Sequence, residues 1–423
     1  MLAQCAGAGD TGPMQYLRFI VGNWRLLAFG FVLSFGSSFG QTFYISMSSA
    51  QIRAEFGLTH GEFGLAFTAA TLLSGFSLVW AGRQIDRLDL RLFTALVVGT
   101  LIAAMAAFSV VASVAALTVI LFLLRFCGQG LMSHTASTTM ARYFDRDRGK
   151  ALSVGLLGQP FGEAVLPLVA VGFIAAVGWR SAWALSAAAM ATGCLLLLPW
   201  LLRGHAERHR EFLVRTVGNG PAAGAAVSAA RQWTRGEVLR DPRFHIMATV
   251  VLAFPFIGTG LFFHQVHIAE TRGWPLELLA FAFTGFAVMR VAASLAFGPA
   301  IDRFGAIRLV TLPMVPLAIA LIAIIASDSV VVPFIYLGAL GLSIGMLMPL
   351  LGAVWTEMYG ALHIGAIKAM STAIIVLGSA TSPAIFGMLI DRGVSIGAIA
   401  QLCLAYVVLA GTAVAWKFRH DRV

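Results

Sequence analysis

Charge is scarce in this sequence. Asp, Glu, Lys and Arg make up 11% of its 423 residues, against about 25% in a typical soluble domain. Hydrophobic residues reach 59% and mean hydropathy is +0.86. That balance excludes a water-soluble enzyme and equally a disordered regulator, which needs low hydrophobicity. Cysteine is scarce too. Cys5, Cys127, Cys194 and Cys403 are spaced for neither a metal clip nor a disulfide framework. Three of them lie in apolar stretches, where a thiol acts as a small hydrophobe. There is no P-loop, so ATP-driven transport by this chain is unsupported. No nucleophile–base pair suggests an enzyme, and no cofactor is expected. The first 20 residues contain Asp10 and Pro13 and lack a small-residue cleavage site behind a hydrophobic core, so no removable signal peptide is expected.

What the chain has in abundance is long apolar runs. A helix needs about 20 apolar residues to cross a bilayer. Twelve candidate spans fall at roughly 25–48, 60–81, 91–112, 115–140, 150–175, 178–202, 244–268, 277–298, 306–327, 330–357, 364–390 and 394–416. The 29 Lys and Arg residues test this topology. With a cytoplasmic N-terminus, 23 of them lie on the cytoplasmic side, while Arg53, Arg180, Arg272 and Arg392 fall outside and Arg125 and Arg290 lie within spans. Positive-inside bias thus predicts both termini in the cytoplasm, in a bacterial-type inner membrane with its lipids as neighbours. The same positions exclude nucleic acid as a partner. The net charge of +10 is dispersed over short loops, not gathered on one basic face.

Five segments follow: a cytoplasmic N-terminal segment 1–24, a six-span bundle 25–202, a linker 203–243, a second bundle 244–416 and a tail 417–423. The linker opens with the charged run Arg203–Arg215 and continues through small residues at Gly218–Ala230. In Trp233–Phe244, Val238 and Leu239 stand among Arg235, Glu237, Arg240 and Asp241, a pattern that suits an amphipathic helix on the inner leaflet.

An internal repeat divides the chain at this linker. A shift of 216 residues superimposes Gly82-x-x-Ile85-Asp86-Arg87 on Gly298-x-x-Ile301-Asp302-Arg303. Without a gap it also pairs Gly57 with Gly273, Tyr143 with Tyr359, Gly149 with Gly365, Gly162 with Gly378 and Pro167 with Pro383. Two six-span halves, a central loop and Gly-x-x-x-Asp-Arg after the second and eighth spans resemble the major facilitator superfamily. The resemblance covers residues 20–418. It implies an all-α polytopic membrane protein with 12 transmembrane helices in two pseudo-symmetric six-helix bundles, working by alternating access. Gly298–Gly305 is similar to the family's loop motif, whereas the first copy departs from it with Asp89 where glycine is usual. Arg125-x-x-Gly128-Gln129-Gly130 resembles the family's arginine motif in the fourth span, and Arg148-Gly149-Lys150-Ala151 the start of the fifth. Arg290 and the Gly/Pro-rich eleventh span are most similar to the monocarboxylate and oxalate–formate branches.

The loop motifs also have a reading of their own. A carboxylate at a cytoplasmic helix end bridges to a neighbouring helix with about 1–3 kcal/mol as a charge-assisted hydrogen bond, enough to bias a two-state carrier. Gly82, Asp86, Arg87, Gly298, Asp302 and Arg303 are therefore expected to gate, or more simply to anchor topology. Charges within spans cost about 2.5–3.5 kcal/mol each on insertion scales. Of the 19 acids only Glu163 lies deep; Asp328 and Asp391 stand at outer ends and Glu357 near an inner one. Of the bases, only Arg125 and Arg290 lie deep. Two buried positive charges against one negative point to an anionic substrate.

Depth matching in the antiparallel fourth and fifth spans sets Arg125 opposite about residue 167, one turn from Glu163. Their pairing is expected, either as a structural ion pair or as a proton-coupling device. Arg290, about 13 residues into the eighth span, sits where such carriers hold substrate and can clamp a carboxylate. Gln41 and Tyr44, three apart on one face, and Gln129, a turn from Arg125, are expected to orient the anion; helix packing is the plainer reading. His264 and His267, with Cys127, Met132, His134 and Met140, raise a copper- or iron-type route. However, His134 falls half a turn from the face of Arg125 and the 15 methionines form no ladder, so no metal site is expected. His264 remains as a substrate or outer-gate residue. The expected function is proton-coupled uptake of a small, monocarboxylate-like organic anion. Export or antiport of a metabolite, drug or metal chelate stays open, as does a non-transporting membrane receptor or assembly factor.

Overall fold

The computed structural model describes residues 13–144, 147–210, 233–360 and 362–418. The expected ends 1–12 and 419–423, the Gly218–Ala230 stretch of the linker and Arg146 lie outside them. Helices dominate, and the described residues contain no strand. In chain order the spans are α1 (Pro13–Gly36), α2 (His60–Ala81), α3 (Leu90–Ser109), α4 (Val114–Tyr143), α5 (158–177), α6 (179–201), α7 (Pro242–Phe263), α8 (Leu276–Phe304), α9 (Ala306–Ala326), α10 (Val332–Tyr359), α11 (Ile364–Asp391) and α12 (Ile396–Lys417). Spans α5 and α6 belong to one helical run of 44 residues. At about 1.5 Å per residue that run is twice as long as a bilayer core of about 30 Å. Gly178, at φ 78 and ψ 162, breaks it into two spans. Only glycine enters that backbone region at no steric cost.

Local sequence explains many boundaries. Thr59 and Glu62 close a reciprocal capping box at the start of α2, satisfying amides that a helix end leaves open. Gly57 and Gly273, one repeat apart, end equivalent short helices at φ 63 and φ 67. The loop motif shows why its two copies differ. Gly305 turns at φ 83, whereas Asp89 sits at φ −57 and caps α3 by accepting from Arg91 N. Aspartate there trades a left-handed turn for a cap.

Three expected elements come out differently. The first span does not run to residue 48. It ends at Gly36 and continues as a 3-10 turn, Ser37–Gly40, and short helical pieces up to Phe56, with Gln41 extended at ψ 152. The fourth span is not a regular α-helix, because Leu124–Met132 is π-helical, a form that recurs at functional sites. In the linker, Arg235–Arg240 forms a single short helix with a Thr234–Glu237 capping box. Its Val238 is fully buried, and Trp233 N donates to Tyr359 O (3.1 Å), so this piece packs on the protein as well as facing outward through Leu239.

The two sets of six spans meet through α2 against α11 and α5 against α8. Two hydrogen bonds obey the repeat to the residue: Thr68 Oγ1 donates to Ala380 O (2.6 Å), and Thr284 Oγ1 donates to Ala164 O (3.0 Å). Each pair is the other shifted by 216. The α2–α11 contact is closest at the end remote from the linker, where Gly64 faces Pro383 and Gly387 faces the backbone of His60. There Asp391 accepts from His60 N (3.0 Å) and Gly61 N (2.7 Å), a carboxylate from one half on a helix N-terminus of the other. Phe63 and Phe67 against Phe263 close the same end with ring contacts.

Candidate functional site

Arg125 is 1% exposed, yet every partner it has is neutral. Its Nε donates to Thr71 Oγ1 (3.1 Å), its Nη1 to Gly40 O (3.1 Å) and Thr42 Oγ1 (3.3 Å). Its guanidinium also lies over the Phe67 ring, 4.9 Å from the centroid. The broken end of α1 makes this possible. Freed from α-helical bonding, the Gly40 carbonyl turns toward α4, and Gly40 and Gly128 approach so closely that a Cβ on either would meet the other's backbone within 2.8 Å.

Glu163 does not pair with Arg125. It pairs with Arg290 of α8, joining the two halves, and its Oε1 also accepts from Gln159 Nε2 (3.1 Å). The expectation failed because matching depth along two helices leaves their rotation undetermined. The segment after α1 lies between them: Ser38 packs on Gly162 of α5 while Gly40 packs on α4. Arg125 therefore points to α1 and α2, and Glu163 points across to α8. Glu163 Oε2 is buried with no hydrogen-bond partner.

The other expected residues are more dispersed. Gln41 and Tyr44 do not share a helical face, because the extended backbone at Gln41 interrupts the helix. Tyr44 is held inside the first half, its hydroxyl 2.8 Å from Ser186 Oγ and its ring edge-on to Phe39 and Trp183. Gln41 and Gln129 are half-buried, the latter on the π-helical stretch with Arg125. His264 lies at the sealed end, its Nε2 3.0 Å from Pro383 O and its ring beside His60. No cluster of three or more His, Cys, Asp or Glu suited to a metal occurs among the described residues.

Of the residues expected to gate, Asp86 forms an ion pair with Arg142 of α4, bridging neighbouring helices. Asp302 does not bridge in this way. It is exposed, without an ion pair among the described residues, because the repeat equivalent of Arg142 is Met358. Glu357 takes over the joint, its Oε2 accepting from Ala306 N (2.6 Å). Arg87 is exposed, Arg303 stacks on Phe304, Gly82 faces His134 and Gly298 has open space around it.

The sequence reading missed Thr42 and Thr71, which accept from Arg125, and Gln159, which donates to Glu163. It also missed Gln265, fully buried, whose Nε2 crosses to Phe43 O (2.8 Å) and Ser46 Oγ (2.7 Å). The Thr68/Thr284 pair was available as a further repeat match.

A dozen apolar spans in two linked sets, with Arg125 buried on the fourth and the loop motif repeated after the second and eighth, agree with comparison to known proteins. The family model for the Major Facilitator Superfamily matches residues 30–277. The chain belongs to this superfamily. Its fold is that of solved structures of a bacterial homolog to the human lysosomal transporter Spinster. The inward-facing, occupied form superposes with TM-score 0.67 at 17% identity over 97% of this chain and 98% of that one. The inward-facing, unoccupied form gives 0.61 at 16% identity, over 96% and 97%. A curated relative, the probable sulfoacetate transporter SauU of Cupriavidus necator, is 27% identical over 258 residues. That match spans 58% of this chain and 57% of the relative, little more than half of either. This major facilitator protein is thus a multi-pass membrane protein whose family and fold are those of transporters.

Proposed function

We propose that this protein is an alternating-access secondary transporter that takes up a small organic anion together with protons. Both termini lie in the cytoplasm of a bacterial-type inner membrane, and the sealed end faces outward. The observation that carries the substrate class is Arg125, a buried guanidinium whose hydrogen-bond partners are all neutral oxygens. A lone buried charge is costly, and a bound carboxylate or sulfonate supplies the missing counter-charge in bidentate geometry. The likeness to a sulfoacetate transporter supports an anion of this kind.

Charge balance then gives Glu163 its part. Arg125, Arg290 and Glu163 sum to one positive charge, which a monoanion neutralises while the ion pair stays intact. A dianion leaves one negative charge in excess unless Glu163 takes a proton and releases Arg290 to the substrate. Proton coupling therefore favours an anion with two charged groups over a simple monocarboxylate. Gln41, Gln129 and the outer His264 orient or admit the anion, and Tyr44 braces the first half. Asp86, Arg87, Asp302 and Arg303 bias the inner gate with Gly82 and Gly298.

The test is substrate-evoked current on proteoliposomes, with acetate, lactate, oxalate and sulfoacetate added at several external pH values. Anion-specific currents, largest for the dianions and lost in Arg125→Gln, are expected. Silence across the panel, with no uptake of the labelled acids by folded, reconstituted protein, overturns the anion reading.

A further inference from the structure

We propose that a groove between α3 and α6 binds one phospholipid with an anionic headgroup, of the phosphatidylglycerol type. The groove has a volume of about 450 Å³, within the range of about 300–1,000 Å³ found for ligand sites. Its walls are apolar, chiefly Val98 and Ile102 of α3 with Leu195 and Leu198 of α6. Arg91 and Arg203 stand at its linker end, where α3 begins and α6 stops. The layout matches a phospholipid, with two guanidinium groups for a phosphodiester and an apolar trough for an acyl chain. Basic pockets between helices on the cytoplasmic side are a recognised setting for anionic headgroups.

Three further observations fix the occupant. Thr94 lines the groove one turn after Arg91, is 2% exposed, and its Oγ1 is buried without a hydrogen-bond partner. A buried hydroxyl left unpaired is costly, and a phosphate or ester oxygen in the groove accepts its proton. The outer face is also built for acyl chains, since Leu195 and Leu196 are 74% and 69% exposed. Finally, Trp24 and Trp200 sit together at this end of α1 and α6, with Arg25 stacked on both, an aromatic belt at headgroup level. Arg91 is already aimed by its Nη2 bond to Leu202 O (3.2 Å). The nearby acid Asp89 is turned to the Arg91 amide (2.8 Å).

The experiment is native mass spectrometry of the full chain in detergent, titrated with phosphatidylglycerol or phosphatidylcholine of the same acyl chains. One retained phosphatidylglycerol is expected at about tenfold lower concentration than phosphatidylcholine. The Arg91→Gln/Arg203→Gln variant should erase that preference. Thr94→Val should weaken retention several-fold while leaving the melting temperature of lipid-free protein unchanged or raised, because it removes an unpaired hydroxyl. Inorganic phosphate in excess should not displace the lipid. Equal retention of the two lipids, an undiminished preference in the double variant, or displacement by phosphate alone would each overturn the proposal. Thr94→Val keeps the question answerable should the double variant fail to fold.

Discussion

Glu163 carries two oxygens and uses one. Oε1 receives Arg290 and Gln159, while Oε2 is buried and unpartnered, so the carboxylate is held on one side and open to a proton on the other. Glu163→Gln preserves the shape and leaves a carbonyl for Arg290. Uptake by this variant should persist at reduced rate while its stimulation by external acid shrinks to the part that opening of the sealed end supplies; a pH profile parallel to wild type would refute the coupling role. Arg290→Met leaves a buried, unpaired carboxylate, which costs about 3–5 kcal/mol. The expected result is a clear fall in melting temperature, restored by adding Glu163→Met without recovery of transport. The three deep charges were legible in the sequence because a guanidinium or carboxylate amid apolar residues stands out. Their pairing was not. It depends on how far α1 unwinds at Ser37–Gln41 and on helix rotation, neither of which residue spacing records.

Helices were legible for the same reason that residues were, since spans of about 20 apolar residues admit few alternatives. The repeat at 216 even predicted paired detail, as Gly57 and Gly273 demonstrate. Missing from the sequence reading were interruptions whose causes are tertiary, above all the π-helical stretch of α4 and the close approach of Gly40 to Gly128. Glycines at helix contacts provide a test at this scale. A Cβ on Gly387 would lie 2.4 Å from His60 O, between the halves, whereas one on Gly345 would lie 2.3 Å from Arg290 O, within the second half. Backbone cannot yield locally in either place. Gly387→Ala should therefore wedge α2 from α11 while the fold survives, and Gly345→Ala should lower the melting temperature. Labelling of Ser46→Cys, buried at the sealed end, by a membrane-impermeant maleimide checks the first. Its rate should rise severalfold with Gly387→Ala and stay unchanged if those helices do not part.

At the scale of the whole molecule, the sealed end holds an unusual set of bases. His60 of α2 has its ring 4.3 Å from that of His267 and 5.7 Å from that of His264, so the cluster spans both halves. Arg53 and Asp391 also act on this cluster, and Glu270 acts on Arg53. Burial lowers the proton affinity of His267, and the positive charge of Arg53 lowers it further, with Asp391 opposing. A base whose proton affinity is depressed in the sealed form takes up protons more readily once that end opens. The sealed form thus keeps its full advantage above the ordinary histidine range at about pH 6.5, and loses it progressively as pH falls from there toward the lowered value. Acid outside should then open the carrier outward, the direction in which a proton-driven importer must load. Hydrogen exchange at peptides spanning 57–64 and 262–273 should accelerate between pH 7.5 and pH 5 after correction for intrinsic rates, about tenfold where one proton taken up shifts the balance by about 1.4 kcal/mol. His267→Gln should reduce that acceleration, and replacing His60, His264 and His267 together should remove it. Uniform exchange across the pH range in wild type would mean that the histidines pack the seal without sensing protons, leaving the proton response to Glu163 alone.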